Sequence, residues 1–71
     1  MQYQRIRYFL QAAESGSFSR AAKQMYISPQ ALAKQISLLE EELGGALFER
    51  TSQGVSLTGL GEAARKKFLK V

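Results

Sequence analysis

The tightest constraint on the fold of this chain is the short distance between two helical patterns in its first half. Residues 17–25 have the spacing of a short amphipathic helix. Only Tyr26 and Ile27 separate that helix from Ser28 and Pro29, an N-cap serine followed by a proline suited to the first helical position. Two helices joined by so short a turn cannot lie flat and antiparallel. They must cross at a steep angle, which predicts a helix-turn-helix.

Further helices are predicted on both sides of this turn. Residues 3–15 form an amphipathic pattern that Gly16 ends as a left-handed cap, and Gly44 and Gly45 end the helix that starts at Ser28. The predicted apolar faces are Ile6, Phe9, Leu10 and Ala13 in the first helix, Phe18, Ala21, Ala22 and Met25 in the second, and Leu32, Ile36, Leu39 and Leu43 in the third. We expect stability to rest mainly on Phe9, Phe18, Leu32, Ile36, Leu39 and Phe48.

After the glycines the pattern alternates, which predicts a hairpin with strands at residues 47–50 and 55–58 and a turn at 51–54. Thr58 then caps a last helix from about Leu60, whose pattern still continues at Val71. The prediction is a mainly α fold, a winged helix-turn-helix with a three-helix core, a two-stranded β-hairpin wing and the start of a C-terminal linker helix. We expect the chain to be a piece of a longer protein.

Composition excludes most catalytic chemistry. The 71 residues contain no Cys, no His and no Asp, so a zinc site, a Ser-His-Asp triad and a Cys-His dyad each lack a necessary residue type. No run of apolar residues approaches a membrane span. We expect a cytoplasmic protein that is not an enzyme and that uses no metal or cofactor and contacts no membrane.

Charge is segregated along the sequence. Residues 1–34 carry five cations and one Glu, residues 35–49 carry four Glu and no cation, and residues 50–71 again carry five cations and one Glu. A polyanion would meet the two basic blocks and avoid the acidic one between them. Charge alone leaves open the alternative that these are ordinary solvated helix faces.

The third helix carries the residues that best fit DNA recognition. Its first two turns present, opposite the apolar face, a set that we call the reading face: Gln30, Ala33, Lys34 and Ser37. An amide can pair with adenine, a lysine suits guanine or phosphate, and an alanine methyl can pack on thymine. The acidic run from Glu40 to Glu42 lies in the later turns, so the amino end is predicted to face DNA. The alternative is a polar helix face that binds nothing.

Further polar groups fit contacts with the DNA backbone. Ser17 and Ser28 begin helices whose terminal amides can bind phosphate. The hairpin tip adds one cation and three hydrogen-bonding side chains: Arg50, Thr51, Ser52 and Gln53. Such a tip can lie along a minor groove or the backbone. Arg50 could instead pair with Glu49 or Glu62, a surface contact of little energetic value.

The same motifs carry a resemblance that covers nearly the whole chain. The sequence closely resembles the N-terminal domain of LysR-type transcriptional regulators in Arg7-Tyr8-Phe9, residues 14–22, Ala31-Leu32, Gln35-Ile36, Leu39-Glu40, Leu43-Gly44, residues 47–50, Leu57-Thr58 and Gly61-Glu62. The resemblance implies a bacterial regulator that binds an interrupted inverted repeat in double-stranded DNA as a homodimer or tetramer, with a recognition helix at residues 28–43 and a wing at residues 50–54.

The resemblance also implies a domain organisation. Residues 1–58 would be the DNA-binding domain and residues 59–71 the start of a linker and dimerisation helix, which leads to an effector-binding domain outside this chain. A small-molecule effector would act only through that domain, and this chain alone would be a weak dimer or a monomer. The family contacts carry over to Pro29, Gln30, Ala33 and Lys34 in the helix and to Arg50 and Gln53 in the wing.

The sequence departs from the family pattern in four places that bear on base preference. Gln30 and Pro29 are exchanged relative to the usual order, and Ala33 replaces a serine. Lys34 stands where arginine is common, so the bidentate fork is lost. Gln53 stands where the wing is often basic.

A second hypothesis competes with DNA binding. The chain could be a winged-helix module for protein association, with Leu60, Ala64 and Phe68 as the contact surface on the last helix. The two roles are compatible, because regulators of this family dimerise through this helix. An enzyme, the third possibility, would need a site built from Glu, Lys, Arg and Tyr, and no spacing suggests one.

Overall fold

The computed structural model describes residues 3–69. They form four helices and one antiparallel hairpin in the predicted order, a mainly α winged helix-turn-helix. The elements are α1 (Tyr3–Ser15), α2 (Phe18–Gln24), α3 (Pro29–Leu43), β1 (Phe48–Thr51), β2 (Gly54–Leu57) and α4 (Gly59–Leu69).

Both serine caps predicted for the helix-turn-helix are present. Ser17 Oγ accepts a hydrogen bond from the Arg20 backbone N–H at 3.2 Å, and Ser28 Oγ accepts one from the Ala31 N–H at 3.1 Å. Each bond satisfies one of the amides that a helix start leaves without a partner. Tyr26 turns the chain between α2 and α3 with a positive φ of 61°. The turn between α2 and α3 therefore rests on local capping and one left-handed residue.

The core lies where α1, α2 and α3 meet and is closed by the loop before β1 and by α4. Its buried hydrophobic residues are Phe9, Ala12, Ala21, Ala22, Leu32, Ile36, Leu39, Leu47 and Ala64. Aromatic side chains tie the elements together, because Phe9 lies 5.5 Å from Phe48 and 5.9 Å from Phe68 between ring centroids. Phe18 meets Phe48 edge to face at 5.3 Å. Such pairs add stability beyond the area they bury.

Two core details differ from the sequence prediction. In α1 the buried partner of Phe9 is Ala12, whereas Ala13 is only half-buried. Leu47 was predicted to lie in a strand, but it is fully buried before β1. The prediction was wrong there because tertiary contacts hold its backbone: the Leu47 N–H donates to Glu40 Oε2 at 2.8 Å, and its carbonyl accepts from Thr58 N–H at 3.0 Å.

The hairpin is therefore shifted and its turn is shorter than predicted. Phe48 pairs with Leu57 and Thr51 pairs with Gly54, so only Ser52 and Gln53 form the turn. Thr58 lies outside the strand and caps α4, because its Oγ1 accepts from the Gly61 N–H at 3.0 Å. α4 begins at Gly59, one residue before the predicted start.

Backbone contacts dock the hairpin onto the turn between α1 and α2. The Val55 N–H donates to the Gly16 carbonyl at 3.0 Å. At Gly54 a Cβ atom would lie 2.2 Å from that same carbonyl oxygen, so only glycine permits this approach. The hairpin consequently has a fixed position relative to α2.

No helix within residues 3–69 has both the length and the apolar character needed to cross a membrane.

Candidate nucleic-acid interface

The reading face lies on the outer side of α3, as the helical period predicts. Gln30, Lys34 and Ser37 are exposed and Ala33 is half-buried, while Leu32 and Ile36 on the opposite side are in the core. The first turn of α3 contains no acidic residue. A polyanion can therefore approach the amino end of this helix without meeting a carboxylate.

The start of α3 leaves one amide available for a ligand. Ser28 and Pro29 are both exposed, and the Ser28 hydroxyl and carbonyl oxygens accept from the Ala31 and Leu32 N–H groups. Pro29 has no N–H, so the Gln30 amide is the first-turn donor that makes no hydrogen bond within residues 3–69. Gln30 thus offers a backbone donor at the positive end of a 15-residue helix together with an exposed side-chain amide.

The hairpin tip is fully accessible. Arg50, Thr51 and Gln53 are all exposed. Thr51 Oγ1 accepts from the Gln53 N–H at 3.2 Å, so part of the Thr51 hydroxyl is used to close the turn. The alternative pairing of Arg50 is absent from the described part of the chain, since no ion pair joins its guanidinium to Glu49 or Glu62.

A groove of about 200 Å³ joins the reading face to the hairpin, and we call it the α3 groove. Ala33, Ser37 and Glu40 line it from the helix, and Arg50 and Val55 line it from the two strands, so the groove contains one carboxylate and one guanidinium. The structure thus brings together residues of the predicted recognition helix and wing that are separated by more than a dozen positions in sequence.

A second cavity, which we call the α2 hollow, has a volume of about 480 Å³ and lies between the start of α2 and the hairpin. Four of the predicted residues line it: Ser17, Thr51, Ser52 and Gln53. Arg20 lines it as well and is exposed. Sequence reasoning missed Arg20, although its place three residues after the Ser17 cap could have indicated that it shares the Ser17 side of α2.

The acidic end of α3 has structural roles that the sequence did not reveal. Glu40 holds the loop before β1, as described above. Arg5 Nη1 donates to Glu42 Oε1 at 2.6 Å and Arg5 Nε donates to Gln35 Oε1 at 3.1 Å, which joins α1 to α3. The hydrogen bond from Arg5 lowers the pKa of Glu42 from its usual value of 4.5. Arg5 was counted in a basic block expected to meet a polyanion, but its charge is already paired.

The predicted association residues share one face along the length of α4. Leu60, Ala64 and Phe68 line a hollow of about 240 Å³ together with Leu43. Leu60 is 39% exposed, whereas Ala64 is only 8% exposed and Phe68 packs edge to face on Phe9. Leu60 is therefore the exposed member of this group, while Phe68 is half-buried.

Residues 3–69 contain neither a metal-binding cluster nor a buried polar side-chain atom that lacks a partner. No three acidic, histidine or cysteine side chains come together as a metal-binding group would require. Every buried side-chain nitrogen and oxygen of these residues has a hydrogen-bond partner.

Comparison with known proteins gives consistent matches. The model of the family described as bacterial regulatory helix-turn-helix protein, lysR family, matches residues 3–62. The chain is 45% identical over 62 residues to the transcriptional regulator TfdT of Cupriavidus pinatubonensis and 44% identical over 61 residues to ClcR of Pseudomonas putida. These alignments cover 87% and 86% of this chain but 27% and 21% of the relatives, so the chain spans about a quarter of their length.

Solved structures agree with the sequence matches. The complex of the CbnR DNA-binding domain with DNA superposes with a TM-score of 0.92 at 33% identity, covering 99% of this chain and 80% of that one. The complex of the BenM DNA-binding domain with catB site 1 DNA gives a TM-score of 0.92 at 38% identity, covering 99% and 78%. Both neighbours were solved bound to DNA.

Proposed function

Since this chain belongs to the lysR family of bacterial regulatory helix-turn-helix proteins, we propose that it binds double-stranded DNA sequence-specifically, as the head domain of a transcriptional regulator. The observation that carries the proposal is the α3 groove, which joins Ala33 and Ser37 of the reading face to Arg50 of the hairpin. The two relatives solved with DNA support it. The proposed role is binding and not catalysis, and it places the protein at the bacterial chromosome in the cytoplasm.

The amino end of α3 is the proposed reading element in the major groove. The major groove of DNA is wide enough for one α-helix. The exposed Gln30 can make a bidentate pair with adenine there. Lys34 lies one turn further and can reach guanine or a phosphate. Ala33, which partly faces the α3 groove, can contact a thymine methyl. Ser28, Pro29 and Ser37 extend this proposed contact surface along residues 28–43.

The hairpin is the proposed second contact, on the DNA backbone or in a minor groove. Arg50 supplies the cation, and no carboxylate of residues 3–69 is paired with it. Thr51 and Gln53 add exposed hydrogen-bonding groups beside it. Ser17 lines the adjacent α2 hollow, where its backbone can approach phosphate.

We propose residues 1–58 as the DNA-binding domain and residues 59–71 as the start of a linker and dimerisation helix; residues 70–71 and 1–2 lie outside the described part. The full regulator would form a homodimer or tetramer on an inverted repeat and would carry an effector-binding domain elsewhere. The chain alone would be a weak dimer or a monomer.

A gel-shift series in increasing salt tests DNA binding. Each phosphate that the protein neutralises adds about −0.9 to the slope of log affinity against log salt. We expect a slope that corresponds to several phosphates, and a flat response would exclude the proposed mode of binding.

The variant Lys34→Ala tests the reading helix, with Lys66→Ala, another exposed lysine but on α4, as its control. If Lys34 reads a base, binding to a selected duplex weakens by about 1–3 kcal/mol while binding to a scrambled duplex does not. If Lys34 binds phosphate, both duplexes lose affinity equally. Unchanged binding to both would contradict the placement of α3.

Self-association through α4 is the second proposed role, favoured by the 39% exposure of Leu60 and the 58% exposure of Leu69. Leu60→Glu tests it, because that side chain is outside the core, whereas Phe68→Glu would also break the contact with Phe9. Light scattering should show a concentration-dependent dimer that Leu60→Glu weakens. A wild-type chain that stays monomeric at high concentration would argue against the interface.

A further inference from the structure

The α2 hollow adjoins the proposed DNA surface. Val55 lines both this hollow and the α3 groove, so the two cavities meet at the hairpin. A DNA strand that passes from the reading face across the α3 groove and over the hairpin would next meet the α2 hollow. The α2 hollow therefore extends the proposed DNA interface.

The groups that line this hollow have the chemistry of an anion site. Arg20 provides a cation, Ser52 and Ser56 provide hydroxyl groups, Gln53 provides an amide, and none of the lining residues is acidic. Arg20 Nη1 donates to the Ser15 carbonyl at 3.4 Å, a weak bond that holds the guanidinium at the rim. The other guanidinium N–H groups make no hydrogen bond within residues 3–69, so they can donate to an outside ligand.

The hollow is also held in shape by backbone contacts. The Val55 N–H to Gly16 carbonyl bond and the close approach of Gly54 fix the hairpin against the turn that precedes α2. The hairpin backbone and the turn before α2 are therefore held together before any ligand arrives. A site that is formed in advance loses less conformational freedom on binding.

We propose that Arg20, together with the hydroxyl groups of Ser52 and Ser56, binds a backbone phosphate of duplex DNA in the α2 hollow. This inference rests on the proposed function and adds a contact to it. The guanidinium fork matches two phosphate oxygens, and the contact carries no base information. Arg20 thereby fixes where the hairpin lies on the DNA.

The test compares salt dependence for wild type, Arg20→Ala and Arg20→Lys, with Arg65→Ala as a matched exposed arginine on α4. Each variant is titrated against a selected and a scrambled duplex. Arg20→Ala should reduce the steepness of log affinity against log salt by about 0.9, the loss of one phosphate contact. It should weaken binding about tenfold at low salt on both duplexes. Arg20→Lys should keep the slope because it keeps the charge, and Arg65→Ala, which removes one positive charge outside the α2 hollow, should reduce the slope by less than Arg20→Ala does.

Neither substitution of Arg20 should change the stability of the fold. The backbone N–H of residue 20, which bonds to the Ser17 cap, survives either substitution, so thermal melts should match wild type. The inference is overturned if Arg20→Ala keeps the wild-type slope of log affinity against log salt. It is also overturned if Arg20→Ala weakens binding to the selected duplex only. Failure of the proposed function is a different result, because wild type itself would then show no salt-dependent binding.

Discussion

Substituting Gly61 tests how closely α4 approaches the loop before the hairpin. Gly61 is buried, and a Cβ atom there would lie 2.2 Å from the Leu47 carbonyl oxygen and 2.9 Å from Leu57 Cδ2. The Leu57 side chain can rotate away. The carbonyl cannot move easily, because it accepts the Thr58 N–H at 3.0 Å. Gly61→Ala must therefore push α4 outward until the contact reaches at least 3.0 Å, a movement of about 0.8 Å.

The expected free-energy change is the difference between two opposing effects. Alanine favours a helix interior by about 1 kcal/mol over glycine. Forcing an extra methyl group into a packed site costs typically about 1–3 kcal/mol and sometimes more, and here the movement also loosens Ala64 and Phe68 from the core. We expect a net loss of up to about 2 kcal/mol, which lowers Tm by up to roughly 15 °C in a domain of this size.

The matched control is Gly59→Ala, two residues earlier in the same helix, where a Cβ atom would meet nothing within 4 Å. Circular dichroism melts of both variants and wild type give the result directly. Gly59→Ala should melt within about 2 °C of wild type or above it, because only the helix preference acts. If Gly61→Ala melts as high as Gly59→Ala, the close contact between α4 and Leu47 does not exist and the packing of α4 described above is wrong.

Three further substitutions test separate parts of the fold. Glu42→Gln should lower Tm at pH 7, because the hydrogen bond from Arg5 lowers the pKa of Glu42 below 4.5; the stabilisation is present above that pH and disappears as the pH falls through the lowered pKa. A difference from wild type that is as large at about pH 3 as at pH 7 would contradict this. Tyr26→Asn should raise stability by up to about 1 kcal/mol, because asparagine tolerates the positive φ of 61° and the tyrosine, 94% exposed, loses no packing; a lower Tm in thermal melts would count against it. Ile36→Ala should lose about 2–5 kcal/mol by urea unfolding, since Ile36 is 2% exposed, and a Tm change below about one degree would place this residue outside the core.

The features that were predictable from sequence are those with local causes. Ser17 and Ser28 cap helices through bonds to residues three positions away, and Gly16 and Gly44 take the left-handed conformation directly after helices. The helical period also identified the reading face, because Leu32 and Ile36 fix which side of α3 is buried. Such signals lie within one or two turns of the chain.

The features that sequence reasoning missed depend on contacts between distant segments. Leu47 leaves the predicted strand because Glu40, at the end of another element, holds its backbone. Arg5 is neutralised by Glu42, 37 positions away. Arg20 lines the α2 hollow only because the hairpin docks beside α2. The composition gives the number of charged residues, but it does not show which other residues they contact.

The central claim is that this chain reads duplex DNA through the amino end of α3. Selection of preferred sequences from a random DNA pool, run in parallel with wild type and Gln30→Ala, tests it most directly. Wild type should enrich a common motif, and Gln30→Ala should lose the preference at one base position of that motif while keeping the others, because its exposed side chain is the proposed partner of adenine. A wild-type pool without an enriched motif, or an identical motif from both proteins, would contradict the claim.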